Sequence, residues 1–206
     1  VMLANAHNVM EPEAVLAKGG VQAAQQSPAF LCIRRWTTRM EADISEWSGA
    51  ALAPLADALR YNTAMLALKA KDAPHLAPSI GSLGSTLAVN SRLIVLSLEN
   101  VGGRPQAMAR LLAGLATNPS AMLSVINLSH NELGAEGGQQ LALGIQSLRP
   151  GLLAELHLRD TRIDAYMMQQ VLSALLPNQY NLLQLHLDGN SLAGQASLAL
   201  TSALLH

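Results

Sequence analysis

The chain has 206 residues, of which 50% are hydrophobic, and its 13 Lys and Arg nearly balance its 14 Asp and Glu. That balance, with no run of basic residues, excludes a nucleic-acid surface built on charge. The single cysteine, Cys32, excludes an intramolecular disulfide, and no apolar stretch reaches the ~18 residues of a membrane span.

Residues 1–36 show no repeat and read as an N-terminal cap or linker segment, punctuated by Pro12, Gly19-Gly20 and Pro28. No basic region followed by a long apolar core supports a signal peptide. The run Phe30–Ile33 favours a strand that would cover the first repeat, with Arg34 and Arg35 on an exposed cap edge. From Thr37 a degenerate repeat is expected, with Leu55 and Leu59 on its helix and Met40, Ala42 and Trp47 in its weak strand half. The next unit starts at Met65, with Leu68 and Ala70 for a strand and Leu83 and Leu87 for a helix.

Regular units follow. The run Leu123–Leu133 reads L-x-x-L-x-L-x-x-N-x-L, and matching starts fall at Met65, Leu93, Leu123, Leu153 and Leu182, in steps of 28, 30, 30 and 29 residues. This is the strand-and-turn half of a leucine-rich repeat. Ile126 and Leu128 point inward, whereas Val125, Asn127 and Ser129 point outward. Asn131 stands where the chain turns, and its amide can satisfy backbone groups that no strand reaches. The second half of each unit is helical. Leu111, Leu141, Val171 and Leu200 recur in phase, and Leu115, Ile145, Leu175 and Leu204 follow them by one helical turn. Ala107, Gly137, Met167 and Ala196 precede them on the same face, and the Met167-Met168 pair reads as core packing.

Asn62, Asn90, Asn118 and Asn178 end the helices, where a left-handed backbone is expected, and Pro119 and Pro177 help to stop them. No strand-and-helix unit can bury its apolar face alone, so the units must stack. The expected fold is an α/β leucine-rich-repeat solenoid over residues 37–206, about six repeats with the first two degenerate. Parallel strands would line its concave face and helices its convex face. The long helical half resembles that of ribonuclease-inhibitor-like proteins. No polar capping repeat follows His206, which suggests a longer parent protein with an open apolar end at Leu200 and Leu204.

The sequence contains no phosphate-binding loop, HExxH helix, paired-cysteine zinc pattern or nucleophile elbow. No catalytic, cofactor-binding or metal-binding residue is assigned. The outward strand positions form three columns: Val95, Val125, Glu155 and Gln184; Ser97, Asn127, His157 and His186; Glu99, Ser129, Arg159 and Asp188. Adjacent strands ~4.8 Å apart would make His157 a neighbour of His186 and Arg159 a neighbour of Asp188. A metal site or an enzyme at Glu155, His157, His186 and Asp188 is conceivable chemistry, but ordinary polar side chains on a solvated sheet account for the same residues. The candidate protein-binding residues are therefore Glu99, Asn127, Glu155, His157, Arg159, His186 and Asp188 on the concave face.

Several stretches carry a more specific resemblance. Ala58-Leu59-Arg60-Tyr61-Asn62 resembles A-L-E-Y-N, Lys71-Asp72 a following K-D, Leu98-Glu99-Asn100-Val101-Gly102 resembles L-E-N-A-G, Ala113–Pro119 resembles A-S-A-L-A-H-N-P, and Ile126–Ser129 resembles I-N-L-A/S, with repeat lengths similar from Ser48 to Leu192. These stretches are similar to the repeats of the CARMIL family, linkers of capping protein, Arp2/3 and myosin-I, although Met65-Leu66 stands where that family has an aromatic pair. The resemblance implies a cytoplasmic, cytoskeleton-associated protein-interaction scaffold and no enzyme. It also implies that membranes and the actin-capping machinery are reached through flanking regions absent from these residues, with a possible homodimer in the full-length protein. No uncapping residue carries over to any position here. The alternative is a leucine-rich-repeat ligand-sensing or effector module unrelated to actin.

Overall fold

The computed structural model describes residues 40–176 and 181–190. Six parallel strands pair in sequence order: β1 (Glu41–Asp43), β2 (Ala67–Lys71), β3 (Val95–Glu99), β4 (Val125–Asn127), β5 (Glu155–His157) and β6 (Gln184–His186). The crossovers carry α1 (Leu52–Arg60), α2 (Gly84–Leu87), α3 (Pro105–Ala116), α4 (Gly134–Ser147) and α5 (Ala165–Leu175). The fold is an α/β leucine-rich-repeat solenoid, with strands on one face and helices on the other.

The ladder follows the sequence period. Leu68, Leu96, Ile126, Leu156 and Leu185 stand opposite one another across β2 to β6. Their side chains point to the helices because strand residues alternate faces. The helices return Leu111 and Leu115, Leu141 and Ile145, and Val171 and Leu175 to the same layer, giving one continuous core. Ala107 and Met167 pack only at the edge of this core, and Met108 and Met168, one residue on, take the fully inward position.

Glycine sets how closely the helices stack. A Cβ on Gly114 would lie 2.0 Å from the Gly84 carbonyl oxygen, and one on Gly84 would lie 2.4 Å from that of Arg110. Thus α2 meets α3 backbone against backbone, a contact that any side chain would prevent. These small residues serve the approach of helix to helix.

Two early repeats depart from the regular form. The first strand is displaced from its expected register: Ala42 pairs with Leu68, so Ala42 and Ile44 point inward and Met40 is 70% exposed. Trp47 packs at the core edge. In the second repeat, Leu83 and Leu87 are buried as expected, but the helix is broken into 3-10 turns at Pro74–Leu76 and Ile80–Leu83 before α2. Pro74, Pro78, Gly81 and Gly84 explain the break, since neither residue type sustains an uninterrupted helix. The segments 1–36, Asn178, Leu200 and Leu204 lie outside the described residues.

The asparagines act by bridging. Left-handed backbone occurs instead at Asp72, Asn100, His130, Asp160 and Gly189, the same step of five successive repeats, just after each strand. Asn62, Asn90 and Asn118 do not adopt it. Asn90 Nδ2 donates to the Leu59 carbonyl at 2.7 Å and Asn118 Nδ2 to that of Leu87 at 2.7 Å, each reaching the preceding helix end. Asn90 Oδ1 accepts the Leu93 N–H at 2.9 Å. These side chains tie each helix end to the repeat that follows it.

Asn131 performs the same task at the strand ends. Its Oδ1 accepts the N–H groups of Val101 and Gly103, both at 3.1 Å, and its Nδ2 donates to the carbonyls of Leu98 at 2.6 Å and Leu128 at 3.0 Å. Asn190 repeats the pattern toward Thr161, accepting its N–H at 3.0 Å, from a less buried position. Replacing Asn131 by Ala should therefore cost more stability than Asn190→Ala in equilibrium urea unfolding, because buried backbone groups of two repeats lose their partners together. Equal losses would contradict this ranking. Leu128→Ala or Leu156→Ala, each removing a fully buried side chain between two neighbouring repeats, should cost ~2–5 kcal/mol in the same measurement. A loss below ~0.5 kcal/mol would show the register to be wrong.

Candidate protein-interaction surface

The outward side chains of the strands are joined into one polar network. β3, β4, β5 and β6 hold Ser97, Asn127, His157 and His186 in register. The rings of His157 and His186 stack with centroids 4.5 Å apart and an interplanar angle of 28°. Arg159 Nε donates to Asp188 Oδ2 at 2.9 Å, and Arg159 Nη2 lies 2.6 Å from His186 Nδ1. A guanidinium has no lone pair to offer, so in this contact Arg159 donates and His186 Nδ1 accepts. His157 Nε2 faces Glu155 Oε2 at 3.3 Å.

The other end of the network is built on Glu99. Lys71 Nζ lies 3.0 Å from Glu99 Oε1, and Asn127 Nδ2 donates to Glu99 Oε2 at 3.1 Å. The Lys71 ammonium, hydrogen-bonded to Glu99, holds that carboxyl below its usual range, with Asn127 adding to the effect and partial burial opposing it. The same pair raises Lys71. Asn127 Oδ1 accepts the Ser129 N–H at 3.0 Å, and Ser129 Oγ accepts the Arg159 N–H at 3.3 Å. Ser129 is buried, although strand alternation alone points it outward.

All seven candidate residues, Glu99, Asn127, Glu155, His157, Arg159, His186 and Asp188, thus lie on one surface, and each touches another member directly or through Ser129. The arrangement is open to solvent. Its donors and acceptors are turned on one another, and Arg159 occupies Nδ1 of His186. Among the described residues, no three His, Cys, Asp or Glu side chains converge as a ligand set. The surface suits recognition of a complementary polar face, because charge complementarity sets encounter and specificity.

The columns left out Lys71, although it stands 28 residues before Glu99 and directly opposite it in the ladder. They also left out the loops at the C-terminal ends of the strands. There Arg104, His130, Glu132, Asp160 and Arg162 line a cleft of about 500 Å³ together with Gly102, Gly103, Asn131 and Gly189. His130 Nδ1 lies 3.2 Å from Asp160 Oδ2, and Arg162 pairs with Glu132. Turn residues of this kind have no apolar alternation to mark them, so only the recurrence of charge at one repeat step could have found them.

These features define a class, the leucine-rich-repeat α/β solenoids that present a polar strand face. No protein-family model matches the sequence. Among solved structures, the chain is similar to the tropomodulin C-terminal domain from Caenorhabditis elegans, with a TM-score of 0.54, 20% identity, and coverage of 75% of this chain and 91% of that domain. It is also similar to the leiomodin-1 actin-binding site 2, with a TM-score of 0.51, 14% identity, and coverage of 87% of this chain and 88% of that one. At these identities the likeness is one of fold. Among the described residues, no helix is long and apolar enough to cross a membrane.

The Glu99 pairing has a pH signature. A carboxyl whose folded pKa is depressed contributes stability that is present above its unfolded value of about 4.3 and is lost as pH falls through the lower folded value. Between about pH 5 and pH 3, Glu99→Gln should therefore lose less stability than the parent chain, read as urea midpoints against pH. Parallel curves for the two proteins would show that the contact with Lys71 does not persist in solution.

Proposed function

We propose that this chain is a non-enzymatic protein-interaction scaffold of the actin cytoskeleton, the repeat region of a CARMIL-like regulator of actin-filament capping. The observation that carries the reading is the shared fold. The repeat array extends over nearly the whole of a leiomodin-1 domain that is an actin-binding site, and over nearly the whole of a tropomodulin C-terminal domain. The resemblance of the stretches at Ala58–Asn62, Leu98–Gly102 and Ala113–Pro119 to CARMIL repeats points toward the same cytoskeletal setting. The side chains of the strand face support recognition rather than catalysis, since His157, His186, Arg159, Glu155 and Asp188 engage each other on an open sheet. In this reading the protein works in the cytoplasm on the cytoskeleton. Its repeats form a stiff platform that meets one partner directly, while the capping machinery is engaged through flanking regions.

The direct test is binding of the 206-residue chain to purified actin, monomeric and filamentous, by co-sedimentation and fluorescence titration. Reversing Glu155, Arg159 and Asp188 together should weaken binding by at least ~tenfold, with circular dichroism unchanged, because exposed charge pairs contribute only ~0–1 kcal/mol to folding. Absence of actin binding by the parent chain would contradict the actin assignment. Binding unaffected by the reversal would contradict the strand face as the contact surface.

A further inference from the structure

The two rims of the array differ in charge and in apolar exposure. On the rim where strands give way to helices, Lys71, Arg159 and Arg162 each face a carboxylate, on Glu99, Asp188 and Glu132. The opposite rim, where helices return to strands, carries arginine without acid. Its segments 60–66, 88–94, 116–124, 147–154 and 181–183 contain Arg60, Arg92 and Arg149 and no Asp or Glu. Asp57, one turn back on α1, reaches Arg60 only at 3.9 Å. Arg92 Nε donates to the Thr63 carbonyl at 3.1 Å and Arg149 Nη2 to Met122 Sδ at 2.6 Å, and among the described residues neither has a carboxylate partner. Apolar side chains crowd the same rim. Of the eight large ones exposed among the described residues, six lie there: Met40, Tyr61, Val89, Ile94, Leu176 and Leu183. Met40, Leu66 and Ile94 stand side by side at the strand starts, since the Leu66 N–H donates to the Met40 carbonyl at 2.7 Å and the Ile94 N–H to that of Leu66 at 2.8 Å. Tyr61 is 78% exposed, with the Arg60 guanidinium 5.7 Å from its ring centre. Tyrosine and arginine are among the residue types that most often carry the binding energy of an interface.

We propose that this rim binds a helix of another protein, apolar along one stripe and flanked by aspartate or glutamate. Charge selects the sign, because three arginines without close carboxylates attract an acidic partner. The chain does not supply one. Residues 1–39 carry Lys18, Arg34, Arg35 and Arg39 against Glu11 and Glu13, and residues 191–206 carry no Asp or Glu. Nor does a second copy, whose identical rim would set arginine against arginine in a two-fold contact. Spacing selects the helix. Neighbouring strand starts are ~4.8 Å apart, close to the ~5.4 Å between successive turns of a helix laid across them. Same-face residues of an extended peptide recur every ~6.7 Å and fall out of step. Five steps from β1 to β6 span ~24 Å, or ~16 helical residues. A lipid surface fits less well. Val89, Ile94 and Leu176 are 43%, 38% and 44% exposed, so they lie flush with the rim. Interfacial apolar groups must instead project to sink ~5–10 Å into a membrane. The site is separate from the strand face, so it gives the platform a second point of attachment and does not depend on the actin reading.

The test is selection from a displayed library of random ~16-residue peptides against the 206-residue chain, followed by fluorescence anisotropy of the peptides recovered. The recovered sequences should be acidic, with apolar residues at helical spacing. Arg92→Glu combined with Arg149→Glu should weaken their binding at least ~tenfold, and Tyr61→Ala should do the same. All three side chains are exposed, so the variants should fold, which circular dichroism confirms. Reversal of Glu155, Arg159 and Asp188 on the strand face should leave this binding unchanged. Failure to recover any peptide overturns the proposal, because the rim is then empty or covered by residues of this chain. Peptides without acidic residues, or indifferent to the arginine reversals, overturn it as well. Binding of the chain to vesicles of phosphatidylcholine with phosphatidylserine, abolished by the arginine reversals, would overturn the helical partner in favour of lipid. Self-association in sedimentation velocity that the same reversals abolish would overturn it in favour of a second copy.

Discussion

A parallel strand three residues long cannot satisfy its own backbone, and a single strand-and-helix unit leaves its apolar side chains bare on two sides. Both problems have the same solution here, which is contact with the next repeat. Leu96, Ile126 and Leu156 stack across the ladder, and the helices stack in step behind them. Where the ladder ends, a side chain takes over. Asn131 crosses from its own turn to Leu98, Val101 and Gly103 of the preceding unit. Asn118 and Asn90 do the same at the helix ends. Stability is thus shared between neighbours rather than held within units, and a stiff surface follows from it.

The left-handed residues show the cost of that stacking. After each strand the chain must turn sharply toward its helix, and it does so at Asp72, Asn100, His130, Asp160 and Gly189. For an L-residue this conformation costs roughly 1 kcal/mol or more. Part of the cost is offset locally, since Asn100 Nδ2 donates to Asp72 Oδ1 at 2.8 Å and His130 pairs with Asp160. At Gly189 a Cβ would displace the Asp160 carboxylate, and glycine takes the left-handed backbone there without that penalty. The same turns build the charged cleft at the strand ends, so backbone strain and surface chemistry are concentrated together.

Much of this was legible in the sequence, for a definite reason. A repeat imposes its phase on every inward position, so Leu111, Leu141 and Val171 announce both helix and register. The columns of outward residues follow from the same phase, which is why the neighbours His157 and His186 and the pair Arg159 and Asp188 could be named. Phase fails where the repeat length changes. In the first repeat the inward strand residue Ala42 stands 13 residues before the buried helix residue Leu55, against 15 from Leu96 to Leu111 and from Ile126 to Leu141, and the run Glu41–Asp43 carries only Ala42 as an inward signal. The asparagines at helix ends were legible by position but not by role, because a bridging amide and a left-handed residue favour the same amino acid. Lys71 stands in the same column as Glu99 one repeat earlier and was passed over with the degenerate units, whereas the burial of Ser129 depends on side-chain geometry that alternation does not encode.

Coupling between repeats through buried amide side chains is the claim on which the rest stands, and native-state hydrogen exchange measures it directly. The N–H groups of Val101 and Gly103 end on Asn131 Oδ1 rather than on a strand. If Asn131 ties the two repeats together, these amides exchange only through opening of both units, as slowly as the strand amides of β3 and β4. Exchange at the rate of surface loops, with β3 and β4 still protected, would contradict the account and leave the array held by its core alone.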